Sequence, residues 1–188
     1  MKVIVIPTLL FGFGQIVNGA DLYSGGYPSS VVSSLKYVIS GAPNSTYSTM
    51  MKTGANSWNG VSSKVYVSNN NTGAKMSVIC NTTSYNTDGV VGRMYPYYYD
   101  TFGNAKYDST YVNIWDVTDV YGYELVMEEE FGDNNYFHQS TYAHEVGHAL
   151  SLNHPASGSA IMRQGWDGVQ YTVPQTLDKT NLKTKWGY

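Results

Sequence analysis

Charge is scarce in this chain: of 188 residues, Asp, Glu, Lys and Arg make up 13%, and the net charge is −3. No basic stripe is present to neutralise phosphates, which argues against nucleic acid as a partner. Cysteine is almost absent. Cys80 stands alone, so no internal disulfide forms, and an exported form would hold its fold without covalent staples. It lies in the apolar, strand-like run Met76-Ser77-Val78-Ile79-Cys80 and reads as a buried thiol. Long apolar runs are missing beyond residue 20, where none reaches the roughly 18 residues needed to span a bilayer. A G-x-S-x-G elbow is missing too, which leaves serine-based hydrolysis without support. No Glu follows Glu145, and Asp167 and Asp178 are the only later carboxylate side chains.

What is present fits one domain of ordinary size. Residues 1–20 carry Lys2, an apolar run from Val3 to Val17 and the small residues Gly19 and Ala20. This reads as a secretory signal peptide, with an N-terminal strand of the mature fold as the alternative. Residues 21–188 are then the mature domain, expected to be secreted and monomeric. A Gly/Ser/Pro-rich lead precedes a strand at Leu35–Ser40. A helix follows, capped by Ser45 or Thr46, with Tyr47, Met50, Met51, Ala55 and Trp58 at helical spacing. Further strands are expected over 63–68, 74–81, 89–96 and 111–117, with a tyrosine-rich loop at 95–100. Acidic residues between Asp116 and Asn135 read as a solvated loop. Calcium is possible there, but no D-x-D-x-D-G pattern orders the ligands. A long helix is expected over 137–151 and a closing helix within 174–187.

The long helix carries the chemistry. His144 and His148 lie four residues apart, little more than one helical turn, so both imidazoles leave the same face and can grip one ion. His154 follows six residues later and meets them only if the helix stops in between. Zinc accepts three histidine nitrogens and leaves its fourth position to water, beside which Glu145 stands as general base and then acid. With no later glutamate to serve, His154 is the best third ligand. His138 reads as a surface or capping residue.

His144-Glu145-x-x-His148, His154 and the later Ser159-Ala160-Ile161-Met162 resemble the metzincin zinc endopeptidases, whose signature is H-E-x-x-H-x-x-G-x-x-H followed by a Met-turn. In detail the chain looks most like a small matrixin-type catalytic domain. The resemblance implies an α+β fold: a five-stranded twisted mixed sheet with two long helices over about 33–154, then an irregular lower part over about 155–188 with the Met-turn and a final helix. It implies one catalytic Zn2+ held by His144, His148 and His154, with Glu145 catalytic and Met162 supporting the histidines from below. An extended peptide substrate would lie along the strand near Gly89 to Tyr95, with Trp166 and Tyr171 as pocket walls. Two departures stand out. Ser151 occupies the family's turn glycine, where a left-handed backbone is expected, and Gln164 stands where some branches carry tyrosine. Alternative functions are a zinc-stabilised peptide- or glycan-binding module, and a zinc hydrolase of a non-peptide amide.

Overall fold

The computed structural model describes residues 20–83, 89–165 and 170–188. The expected signal peptide and Trp166 therefore lie outside the described residues, apart from Ala20. Five helices and six strands are described: α1 (Ser29–Val32), β1 (Leu35–Ser40), α2 (Ser45–Asn56), β2 (Val67–Asn69), β3 (Met76–Asn81), β4 (Gly92–Tyr99), β5 (Ala105–Tyr107), β6 (Val117–Tyr123), α3 (Glu124–Phe131), α4 (Asn135–Ala149) and α5 (Thr176–Trp186). The strands form one mixed sheet in the order β2-β1-β3-β6-β4-β5. The first four run parallel, while β4 is antiparallel to both of its neighbours.

The sheet thus has six strands rather than the expected five. The stretch 63–68 shrinks to β2 and moves towards Asn69, and β3 starts two residues late. The tyrosine-rich stretch is not a loop. It is the second half of β4, whose alternating residues pair with β6 and then with the short β5. Pro96 is tolerated because its carbonyl, not a missing N–H, serves the β5 side, where it accepts from Asp108 N–H at 2.9 Å. The strand expected over 111–117 is an irregular segment, tied to the buried Asp108 carboxylate by Asn113 N–H (2.8 Å) and Trp115 Nε1 (3.1 Å). Its place is taken by β6 and α3, which occupy the supposed acidic loop; Glu128, Glu129 and Glu130 face solvent from α3.

Helices α2 and α4 cover one face of the sheet. Asn44, one residue before the expected cap, accepts Tyr47 N–H at 3.0 Å and starts α2. Gly54 brings α2 against α4, since a Cβ there would lie 2.8 Å from the Gln139 carbonyl oxygen. Trp58 then donates from Nε1 to Ala143 O at 2.8 Å, fixing the register of the two helices. His138 is neither on the surface nor the cap: Asn134 caps α4, and His138 is buried with its ring 5.4 Å from that of Tyr47.

Candidate metal centre

Helix α4 ends in a turn that decides whether His154 can join its partners. Leu152 N–H reaches back to Gly147 O (3.1 Å) and Ser151 N–H to His148 O (2.9 Å), the pair of bonds of a Schellman termination. Its pivot is Ser151 at φ 67°, a left-handed conformation usually given to glycine. The chain reverses there, and His154 returns over the helix face. Its Nε2 lies 3.1 Å from His144 Nε2 and 3.0 Å from His148 Nε2. Among the described residues these three make the one group of three or more His, Cys, Asp or Glu side chains close enough to share an ion.

The protons on these rings follow from their partners. His144 Nδ1 is 2.7 Å from Ile161 O, and His148 Nδ1 is 2.8 Å from Leu152 O. A carbonyl only accepts, so each Nδ1 carries the hydrogen and each Nε2 presents a lone pair. Burial, and for both residues a neighbouring imidazole, disfavours the charged form: His144 is held down to about 4 and His148 well below the ordinary histidine value. His154 is lowered by burial. Neutral imidazoles with converging lone pairs are the donor set that a divalent cation needs. Two nitrogens on a tetrahedral zinc at about 2.0–2.1 Å stand about 3.3 Å apart, within a few tenths of an ångström of the two spacings to His154, and all three ligand atoms lie within 4.8 Å of one another. The residues fit the ion.

Glu145 lies on the same helix with 6% of its surface exposed. Burial pushes its carboxyl up to about 8, against the opposing pull of the Arg93 guanidinium and of a hydrogen bond from Met94 N–H. Strand β4 comes this close because Gly92 has no side chain; a Cβ there would sit 2.8 Å from Glu145 Cγ. Beneath the helix, Gly147 makes room for Met162, whose Sδ would lie within 2.2 Å of an added Cβ. The buried Asp178 of α5 accepts from Ile161 N–H (2.8 Å) and Met162 N–H (3.2 Å), so one carboxylate holds the turn that both fills this space and accepts from His144.

The three histidines and Glu145 line a cleft of about 470 Å³ together with Gly92, Arg93 and Met94 of β4, and Arg163 and Gln164 beyond the turn. Tyr171 is not on its wall. That residue lines an adjoining cavity of about 300 Å³ instead. A scan against family models matches none, and no curated protein is similar to the chain. Among solved structures the chain is similar to the crystal structure of myroilysin at 13% identity and a TM-score of 0.45, over 90% of this chain and 92% of that one. A likeness this distant says nothing of chemistry, which here comes from the side chains themselves.

Sequence reasoning missed Tyr23. It stacks on Tyr111 with centroids 4.4 Å apart and brings its hydroxyl to 3.3 Å from His148 Nδ1. No local pattern announces it, because it arrives on an extended segment that bonds to residues more than 120 positions away. The role of Asp178 was missed for the same reason.

Proposed function

We propose that this chain is a secreted, monomeric zinc metalloendopeptidase of metzincin type, similar to the matrixins, with His144, His148 and His154 as ligands and Glu145 as the catalytic acid and base. The observation that carries this reading is the convergence of three imidazole Nε2 atoms beside a buried carboxyl group in an open cleft. When bound, zinc supplies Lewis acidity towards a carbonyl and makes water ionise near neutral pH.

The chain's own residues supply the rest. The carbonyls of Ile161 and Leu152 keep the first two imidazoles in the ligating tautomer. Met94 N–H fixes the orientation of the Glu145 carboxylate, and the Arg93 charge favours its ionised form. In that form Glu145 takes a proton from attacking water. Protonated, in a site whose burial favours the neutral acid, it returns the proton to the leaving amine. No described strand pairs with Gly92–Tyr95 on the side away from β6, so an extended peptide can add there as a further strand along the cleft.

The test is Glu145→Ala with metal analysis of both proteins. Each should hold one zinc, while casein cleavage by the variant falls by about 100-fold or more. Equal cleavage by the two proteins would refute the enzymatic reading.

A further inference from the structure

Two tyrosines far apart in the chain, Tyr23 and Tyr111, line the cleft that holds the three histidines. Their rings stack, with centroids 4.4 Å apart and planes 15° from parallel, and the buried Trp115 meets both of them edge to face at 6.3 and 6.5 Å. Each hydroxyl has a neighbour as well: Tyr23 Oη is 3.3 Å from His148 Nδ1, and Tyr111 Oη is 3.5 Å from Tyr107 Oη. Both residues are half-buried, so the pair presents a fixed aromatic wall to the cleft.

The backbone is held as firmly as the rings. Tyr111 stands at φ 55°, a left-handed conformation that is out of the ordinary for so bulky a residue. It persists because the chain is tied on both sides of the Cα: Tyr111 N–H donates to Asp108 O at 3.3 Å, and Tyr111 O accepts from Gly25 N–H at 2.8 Å. Position 25 can come this close only as glycine, since a Cβ there would lie 2.5 Å from Asn113 O and 2.8 Å from Tyr111 O. Backbone strain that the surroundings maintain in the wall of a binding cleft points to a side chain whose placement serves the ligand.

An extended peptide lying along Gly92–Tyr95 turns successive side chains to opposite sides, and a wall fixed at one place beside His148 meets one of them. A ring pair that is already ordered loses little freedom on binding, and it favours a third ring, offset or edge-on, over an aliphatic side chain of similar size. We infer that the cleft selects peptides with an aromatic side chain on one side of the scissile bond, packed against Tyr111 and Tyr23. The inference rests on the endopeptidase reading and narrows its substrate class.

The experiment uses the zinc-loaded full chain and internally quenched peptides that differ only in carrying Phe, Leu or Ala at each of the three positions on either side of the cut. At a position on one side only, Phe should raise kcat/KM over Ala by about ten- to a hundred-fold, and over Leu by about two- to ten-fold, the part that belongs to ring-on-ring contact. Tyr111→Phe keeps the wall and should keep both ratios. Tyr111→Leu should remove the margin of Phe over Leu, and Tyr111→Ala should also reduce that of Phe over Ala at this position alone. Tyr66→Ala removes an exposed ring that does not line the cleft and should change neither ratio. A wild type indifferent to Phe, a preference that survives Tyr111→Ala, or a loss spread equally over both sides of the cut overturns the inference. If Tyr111→Ala does not fold, Tyr111→Leu decides by losing the margin of Phe over Leu or keeping it. If no peptide is cleaved, the endopeptidase reading falls separately. Fluorescence anisotropy with the same peptides, labelled, then decides the cleft's preference: tighter binding of the Phe peptides that depends on Tyr111 supports it, and equal binding of Phe and Ala peptides, or a preference independent of Tyr111, overturns it.

Discussion

Ser151 shows how a single residue can oppose the turn it sits in. At φ 67° its Cβ crowds the backbone by roughly 1–2 kcal/mol, and its Oγ is buried with no hydrogen-bond partner. The side chain is accommodated because the residue facing it is Gly26, where an added Cβ would lie 2.2 Å from Ser151 Oγ. Serine at one position therefore requires glycine at the other. Ser151→Gly removes the crowding and the unpartnered hydroxyl, and the extra freedom of glycine in the unfolded chain opposes this by about 1 kcal/mol or less. A net gain of about 1 kcal/mol is expected in urea denaturation. Gly26→Ala should destabilise the wild type more than it destabilises the Ser151→Gly protein, by about 1 kcal/mol or more in a double-mutant cycle. Additive effects would mean that the two residues do not share the space.

Among the elements, the least regular one has the widest reach. Residues 21–26 form an extended strap across the turn that presents His154. Tyr23 N–H donates to Ser151 O and Asn153 N–H to Asp21 O, each at 2.9 Å, and Leu22 bridges to Leu152. Lys185 at the end of α5 fastens the strap, donating from Nζ to the carbonyls of Tyr23 (2.7 Å), Ser24 (3.1 Å) and Gly25 (2.9 Å). Next to it, Trp186 Nε1 donates to Leu150 O at 2.8 Å. Lys185→Met keeps the stem and orphans the three carbonyls, so it should lower the melting temperature and weaken zinc binding by roughly ten-fold in a chelator competition, as loss of an outer-shell contact does. A lower melting temperature with unchanged zinc affinity would make the strap independent of the centre. Sequence legibility follows the same division. His144, Glu145 and His148 were readable because their relation is local, and α2, α4 and α5 because helical spacing and end signals lie within a dozen residues. β6 was read one element too early because its outward face carries Asp119 and Tyr121, which resemble a loop until Val120 and Gly122 are seen to be buried. The strap has no period at all, and its bonds join the two ends of the chain.

At the scale of the whole molecule, the buried ionisable groups of the centre make metal-free stability a function of pH with two opposed slopes. His144, His148 and His154 have values below the ordinary 6.5. Below about pH 6.5 the unfolded chain binds protons that these buried rings refuse, so their contribution is complete above that pH and is lost on acidification towards about 4. His138, likewise lowered by burial, adds to this acid limb. Glu145 acts with the opposite sign. Its carboxyl titrates at about 8 when folded and at 4.5 ordinarily, so the folded chain holds a proton that the unfolded chain has released, and stability falls as pH rises between those values. On the acid side the four lowered histidines oppose Glu145 and the carboxyls of Asp119, Glu124 and Asp178, which burial also raises; from 6.5 to 8 Glu145 acts without the histidines. The chelator-treated protein should therefore melt highest near pH 6.5 and decline towards pH 8. Glu145→Gln should flatten that alkaline decline while leaving the acid limb in place. Zinc should flatten it in the wild type as well, since a cation held by the neighbouring histidines favours the carboxylate. Melting curves of the four states at pH 5, 6.5 and 8 measure all of this at once. If wild type and Glu145→Gln run parallel from pH 6.5 to 8 without metal, the carboxyl is already ionised in the empty site, and the pairing of base and ion must be argued from geometry alone.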